Sequence, residues 1–123
     1  MTYVAPNNVV GEYTVNVALS STSATSLLSN AAASGRVFKV LSVVAANVDG
    51  TNAADITVSR YSAAALGGTA FPMASTISVP ADASLIVSDS TTPILLAANT
   101  SLGATAGTSN AITMTVTYQE LLG

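Results

Sequence analysis

The amino-acid sequence predicts an all-β fold, an antiparallel β-sandwich of the jelly-roll type with about eight short strands. Two observations lead to this prediction. Apolar and polar residues alternate with a period of two near both ends of the chain, and turn residues recur between short apolar runs. In addition, no window of helical length carries an apolar stripe opposite a charged face, as a surface helix would.

The two ends of the chain carry the clearest strands. From Glu12 to Ser20, one face collects the apolar residues Tyr13, Val15, Val17 and Leu19. From Ile112 to Gln119, one face collects Ile112, Met114, Val116 and Tyr118, and the other collects Thr113, Thr115, Thr117 and Gln119. This alternation predicts half-buried strands, in which β-branched threonine suits the solvent side.

Shorter strands are predicted between them. Val37–Val48 is apolar on both faces, which indicates a central strand covered on two sides. The remaining candidates are Ala24–Ser29, Ala54–Tyr61, Thr76–Val79, Ser84–Ser88, Ile94–Ala97 and Leu102–Ala106. The Ala-rich segments Asn30–Ser34 and Ala63–Leu66 are predicted to form single short turns.

Turn residues set the predicted connections. Asp49-Gly50 lies between two apolar runs and predicts a hairpin, because these residues accept positive φ cheaply. Gly67-Gly68 predicts a further turn, and Pro72, Pro80 and Pro93 belong at strand ends or sheet edges. Residues 1–10 show no alternation and are predicted to form an N-terminal arm, with the sandwich domain spanning residues 11–123.

The composition argues against several classes of partner. Hydrophobic residues make up 50% of the chain and charged residues 7%, with a net charge of −3. The basic residues Arg36, Lys39 and Arg60 cannot form the basic cluster that nucleic acid or an anionic membrane surface requires. Short neutral Ser, Thr and Ala side chains lose little entropy when a partner covers them, so we expect a homo-oligomer.

Catalytic groups are scarce, and we expect no enzyme, no catalytic residue and no cofactor. The chain has no histidine and no cysteine, which removes the common nucleophile–base pairs. A Ser–Lys pair would have to use Lys39, which lies in the most apolar segment. The six carboxylates are better explained as turn residues or solvated groups than as a glycosidase pair, and they are Glu12, Asp49, Asp55, Asp82, Asp89 and Glu120.

The spacing of three oxygen-bearing residues and the position of Arg60 could each indicate a binding role or an ordinary structural one. Asp49, Asn52 and Asp55 have oxygen ligands that calcium accepts, but an ordinary turn explains their spacing, so no metal site is expected. Arg60 follows Ile56 and Val58 on one side of a strand. An ion pair within the chain and an anchor to a neighbouring subunit are equally good interpretations.

Several features occur in an order that is similar to a known family. Ala46-Asn47 lies between two strands, Val79-Pro80-Ala81 forms a turn, and Tyr118-Gln119-Glu120 lies in the terminal strand. Across residues 37–120 this order resembles small virion structural proteins of tailed phages, including cyanophages. The family often has an acidic Gly-Asp turn before the penultimate strand, where this chain has Asn99, a residue that can make the same turn.

The resemblance implies a non-enzymatic β-sandwich that oligomerises on a virion. We expect a capsid decoration or cement protein, with a trimer favoured and the major capsid protein as partner. The alternatives are a neck, collar or tail component, with neck or tail proteins as partners, and a receptor- or glycan-binding module of a fibre. Localisation to the virion, with the capsid surface favoured over neck or tail, follows from the same resemblance.

Overall fold

A computed structural model describes residues 9–122, which form nine strands and no helix. The all-β prediction is therefore confirmed. The strands are β1 (Val9–Leu19), β2 (Thr25–Asn30), β3 (Arg36–Asn47), β4 (Ala54–Ala63), β5 (Gly67–Val79), β6 (Ser84–Ser88), β7 (Ile94–Leu96), β8 (Thr100–Ala106) and β9 (Ile112–Leu122).

The strands form two antiparallel sheets that pack face to face. Sheet A has the order β1-β9-β3-β6, with β7 also paired to β3, and sheet B has the order β2-β8-β4-β5. Successive strands mostly change sheet, which gives the jelly-roll arrangement that the sequence predicted. The sequence predicted about eight strands and named nine candidate segments, and each segment overlaps one of the nine observed strands. β6 and β7 lie end to end along one edge of β3.

The last strand occupies the middle of sheet A. β9 pairs with β1 from Leu19↔Ile112 to Val9↔Leu121, and with β3 from Asn47↔Ile112 to Arg36↔Leu122. Its alternating apolar residues thereby enter the core between those of two neighbours, and Met114 lies between Val17 and Ala45. The clean alternation of this segment follows from that position, since one face packs on sheet B and the other faces outward.

The core is aliphatic and comes from both sheets. Its largest fully buried side chains include Leu19, Leu96, Ile112 and Met114 from sheet A, and Ile56 and Leu102 from sheet B. Branched and short side chains fill the space between sheets about 10 Å apart without large aromatic residues.

Two buried asparagines fix the connections that cross between the sheets. Asn30 ends β2, and its Nδ2 donates to the carbonyls of Arg36 and Leu96, each at 2.9 Å. Asn47 ends β3, and its Nδ2 donates to the carbonyls of Asn52 and Val79, also at 2.9 Å. The Oδ1 of Asn47 accepts the Asp49 N–H at 2.9 Å. Each side chain therefore satisfies backbone groups that would otherwise be buried without partners.

Strand β5 is longer than the sequence predicted. The prediction began at Thr76, whereas the strand begins at Gly67 and passes through Pro72. Pro72 is tolerated because β5 is an edge strand, so its missing N–H does not interrupt a central ladder. Three register shifts against β4 and a positive φ of 50° at Thr76 make this edge irregular.

The prediction that Asp49-Gly50 forms a hairpin is wrong, because the strands on either side of it do not pair with each other. The loop is present, but it joins β3 of sheet A to β4 of sheet B, and Gly50 does not have positive φ. The Asp49 carboxylate and the Asn47 amide organise the loop instead. The hairpin between consecutive paired strands is β4–β5, whose turn places Ala65 and Leu66 at positive φ.

The predicted N-terminal arm, residues 1–10, overlaps the first strand at its last two residues. β1 begins at Val9, so Val9 and Val10 belong to sheet A and not to an arm. The rest of that prediction, residues 1–8, lies outside the described residues.

In β1, the Tyr13 ring lies directly over Gly11, where a Cβ would collide with it.

We predict that Asn47→Ala lowers the free energy of unfolding by about 2–4 kcal/mol, because three backbone groups lose their buried partner. Urea denaturation followed by circular dichroism measures this loss. Asn52→Ala is the matched control, since its side chain is exposed and its backbone carbonyl remains available; we expect a change below about 0.5 kcal/mol. Equal losses in the two variants would contradict the structural role given to Asn47.

Candidate interaction surface

The carboxylates considered for catalysis lie mainly in turns. The loops of Asp49 and Asp82 adjoin, and the Asp82 N–H donates to the Asp49 carbonyl at 3.1 Å, whereas Asp89 lies between β6 and β7. Asp49 Oδ1 accepts the backbone N–H of Thr51 at 2.8 Å and that of Asn52 at 3.2 Å. Asp89 Oδ1 accepts the backbone N–H of Thr91 at 3.0 Å and also the Thr91 hydroxyl. Both residues thus cap tight turns, as the sequence predicted.

The candidate calcium ligands fit the turn interpretation. The Asp49 carboxylate holds the loop backbone, while the carbonyl of Asn52 accepts from Asn47. Asp55 is the second residue of β4 and pairs with Ser78 across the sheet, so it is not a loop residue. Within residues 9–122, no three His, Cys, Asp or Glu side chains are grouped so that they could hold a metal ion.

The three basic residues lie apart. Arg36 Nε lies 3.4 Å from Glu120 Oε2, forming an ion pair between β3 and β9. Lys39 lies in β3, between Gln119 of β9 and Leu95 of β7. Arg60 lies in β4 between Phe71 and Leu102, and no carboxylate in the described range is within ion-pair distance of it. An intersubunit partner for Arg60 remains a prediction.

Three aromatic side chains meet beside the Arg36–Glu120 pair. The Tyr118 ring centroid lies 5.4 Å from that of Tyr13 and 5.2 Å from that of Phe38, in tilted arrangements. Burial raises the pKa of Tyr118, and the nearby Glu120 and Tyr13 raise it further. Phe38 and Tyr118 pack against the core, so the cluster closes one end of the sandwich and offers one exposed ring, that of Tyr13.

Part of the outer face of sheet B is covered by its own chain. The turn between β4 and β5 folds back over β8, where the Ala65 and Leu66 N–H groups donate to Ser29 Oγ and Ser101 Oγ, each at 2.9 Å. A Cβ on Gly103 would collide with the Leu66 side chain. β8 is therefore the strand buried on both faces.

The outer face of sheet A is not covered in this way by any described residue. We call it the threonine face. Its residues are outward-facing members of five strands: Val9, Glu12, Thr14, Asn16 and Ala18 of β1; Thr113, Thr115, Thr117, Gln119 and Leu121 of β9; Val37, Lys39, Ser42, Val44 and Ala46 of β3; Ser84 and Ile86 of β6; and Leu95 of β7.

Side chains of the threonine face are hydrogen-bonded to one another. Thr14 Oγ1 and Thr117 Oγ1 lie 3.0 Å apart across β1 and β9. One row along the strands, Thr115 Oγ1 donates to Asn16 Oδ1 at 2.9 Å. The sequence predicted the polar side of β9 but predicted β3 to be covered on both faces; in the described chain Val44 and Ala46 are half-buried, with no layer above them.

Further apolar residues are exposed on the edges of the sandwich. Strand β5 contains no charged residue across its 13 positions and exposes Phe71, Met73 and Ile77. At the edge of sheet A, Ile86 is 64% exposed and Leu95 is 57% exposed. Periodicity did not identify these residues, because their exposure depends on which strands form the sheet edges.

We predict that acid destabilises the fold through Asp49 and Asp89. Backbone N–H groups of Thr51 and Asn52 hold the pKa of Asp49 below its usual value, and the Thr91 hydroxyl and N–H do the same for Asp89. Because these pKa values are lowered in the folded state, the stabilisation is present above the unfolded value of about 3.9 and is lost as the pH falls through the folded values.

Carboxyl-carbon NMR titration and urea midpoints at pH 5 and below test this directly. Thr91→Ala should raise the pKa of Asp89 and reduce the loss of stability in acid, while Asp49 in the same molecule serves as the unchanged control. An identical Asp89 titration in the variant and the parent protein would refute the assignment.

The described residues contain no helix long and apolar enough to cross a membrane. Comparisons with protein-family models, with curated proteins and with solved structures each found no match.

Proposed function

We propose that this chain is a non-enzymatic structural protein of a phage virion, most specifically a capsid decoration protein that binds the shell as a homo-oligomer. In this role the major capsid protein is its partner and the outer surface of the capsid is its location. The protein would stabilise the shell by covering contacts between capsid subunits.

The observation that carries the proposal is an exposed surface that combines apolar side chains with very little charge. The uncharged edge strand β5 exposes Phe71, Met73 and Ile77, and the threonine face is almost free of charge. A monomeric soluble protein normally relies on surface charge to resist association and rarely exposes contiguous apolar area. Such a surface suits a protein that is covered when it works.

The fold is compatible with this role but does not select it. Jelly rolls occur in viral capsid proteins, in lectins and in cupins, so the architecture leaves the function open. The order of sequence features across residues 37–120, which is similar to small tailed-phage virion proteins, supports the virion role among these. For a glycan-binding role, the exposed rings of Tyr13 and Phe71 lie on different sheets, so each is a lone and therefore weak platform for sugar stacking.

Copy number on purified particles tests the proposal. Quantitative mass spectrometry should find this chain in amounts comparable with the major capsid protein. A small number of copies per particle, as in a ring at the neck or tail, would contradict the decoration role and favour a neck or tail component. Absence from particles would refute a virion role altogether.

We predict that Phe71→Ser combined with Met73→Ser abolishes binding to shells stripped of this protein. The loss of stability should stay below about 1 kcal/mol, because both side chains are exposed. Val48→Ser is the control, since Val48 is an exposed apolar residue on the loop near Val79, at the other end of β5 from Phe71 and Met73. Co-sedimentation with stripped shells measures binding, and undiminished binding of the double variant would exclude β5 as the contact surface.

A further inference from the structure

The outer side of β3 is more apolar than an exposed sheet face requires. Antiparallel sheets with one face in water usually alternate apolar and polar residues, yet β3 directs Val44 and Ala46 outward. The neighbouring strands add Ile86 beside Val44 and Leu95 beside Lys39. These residues mark a face that gains stability when a second layer covers it.

Four polar side chains of the threonine face are already paired with one another. Thr14 is already bonded to Thr117, and Thr115 to Asn16, across β1 and β9. Covering these hydroxyls therefore leaves fewer unsatisfied groups than covering free ones would. Because Thr, Ser and Ala side chains have few rotamers, ordering them on association also costs little entropy.

The two charged residues of the threonine face indicate what kind of surface can cover it. Glu12 and Lys39 are the charged residues among those of the threonine face, and both pair in register with Gln119, from opposite sides of β9. Two strand spacings, about 10 Å, separate them, so they do not pair with each other within one chain. A matching face must present a cation above Glu12 and an anion above Lys39.

A second copy meets that requirement through a twofold axis that runs along β9. The rotation places β1 of one copy above β3 of the other, so Glu12 of each faces Lys39 of its partner copy, while Gln119 faces its own counterpart. The same rotation places Leu95 and Ile86 about one strand spacing beyond β1 of the other copy, where they cover its free edge.

The area is sufficient for a specific but modest dimer. Three strands of about 11 residues cover roughly 500 Å² per copy from the standard strand dimensions. The total, roughly 1,000 Å² before Ile86 and Leu95 are added, lies near the lower bound for specific interfaces.

We infer that the threonine face is a self-association surface, on which two copies of this chain pack sheet A to sheet A with reciprocal Glu12–Lys39 contacts. This inference rests on the homo-oligomer of the proposed function and replaces the trimer expected from the resemblance with a twofold unit.

Charge reversal and mixing test the pairing. The parent protein should sediment as a dimer at about 50 µM, in keeping with the modest area. Glu12→Lys and Lys39→Glu should each raise the dimer dissociation constant about a hundredfold or more, because a like-charge contact then occurs twice in each dimer. Each variant alone is expected to be monomeric and folded, with a circular dichroism spectrum like that of the parent.

Mixing the two single variants in equal amounts should restore the dimer, since both reciprocal contacts again join opposite charges. The double variant, Glu12→Lys with Lys39→Glu, should also dimerise. Asp55→Lys is the control, because it reverses an exposed carboxylate on sheet B and should leave the dimer intact. Restoration by mixing excludes an effect within one chain.

The outcomes separate this inference from the proposed function. A parent protein that is trimeric, or dimeric but insensitive to both reversals, would overturn the inference and leave the virion role standing. A parent protein that stays monomeric at this concentration would overturn both the inference and the homo-oligomer of the proposed function. Failure of the mixed variants to form dimers would refute the reciprocal contact.

Discussion

The structure depends on the insertion of the C-terminal strand between β1 and β3. β9 forms ladders with both neighbours along its whole length, from Ile112 to Leu122. Without it, β1 has no partner in sheet A, and the two halves of the sheet separate. The residues that β9 joins are about a hundred positions apart in the case of β1, so this contact forms only at a high cost in chain entropy.

The central position of β9 also determines the surface of the molecule. Its core face supplies Ile112, Met114 and Val116, and its outer face supplies the threonines to which Thr14 and Asn16 bond. In sheet B the outer side of the central strand β8 is covered, because the turn after β4 folds over it. Sheet A has no such cover among the described residues. The asymmetry between the two layers is the physical basis for assigning the outer face of sheet A to self-association and the free edge β5 to the shell.

The sequence predicted most of the architecture because local alternation reports which residues face a core. Strands β1 and β9 were the clearest for that reason. It predicted less of β5, because Gly67, Gly68 and Pro72 interrupt the pattern, and an edge strand tolerates them where a central strand does not. The Asp49-Gly50 turn was recognised, but a local turn signal does not say whether the next strand joins the same sheet.

The threonine face could not be predicted from sequence patterns for a related reason. Placing Glu12 and Lys39 on either side of Gln119 requires the register of three strands that are distant in the chain, including an irregularity between Val40 and Ser42. The sequence did indicate that β3 is apolar on both sides. The predicted central position of β3 is confirmed, but among the described residues no layer covers its outer side. In our proposal a second copy supplies that layer.

Native-state hydrogen exchange of residues 112–122 tests the central place of β9 most directly. Amides bonded within a central strand should exchange only through global unfolding, so the opening free energy of the β9 amides should equal the free energy of unfolding measured with urea. Exchange of the β9 amides through local fraying, at the rates of the edge strands β1 and β5, would contradict the account.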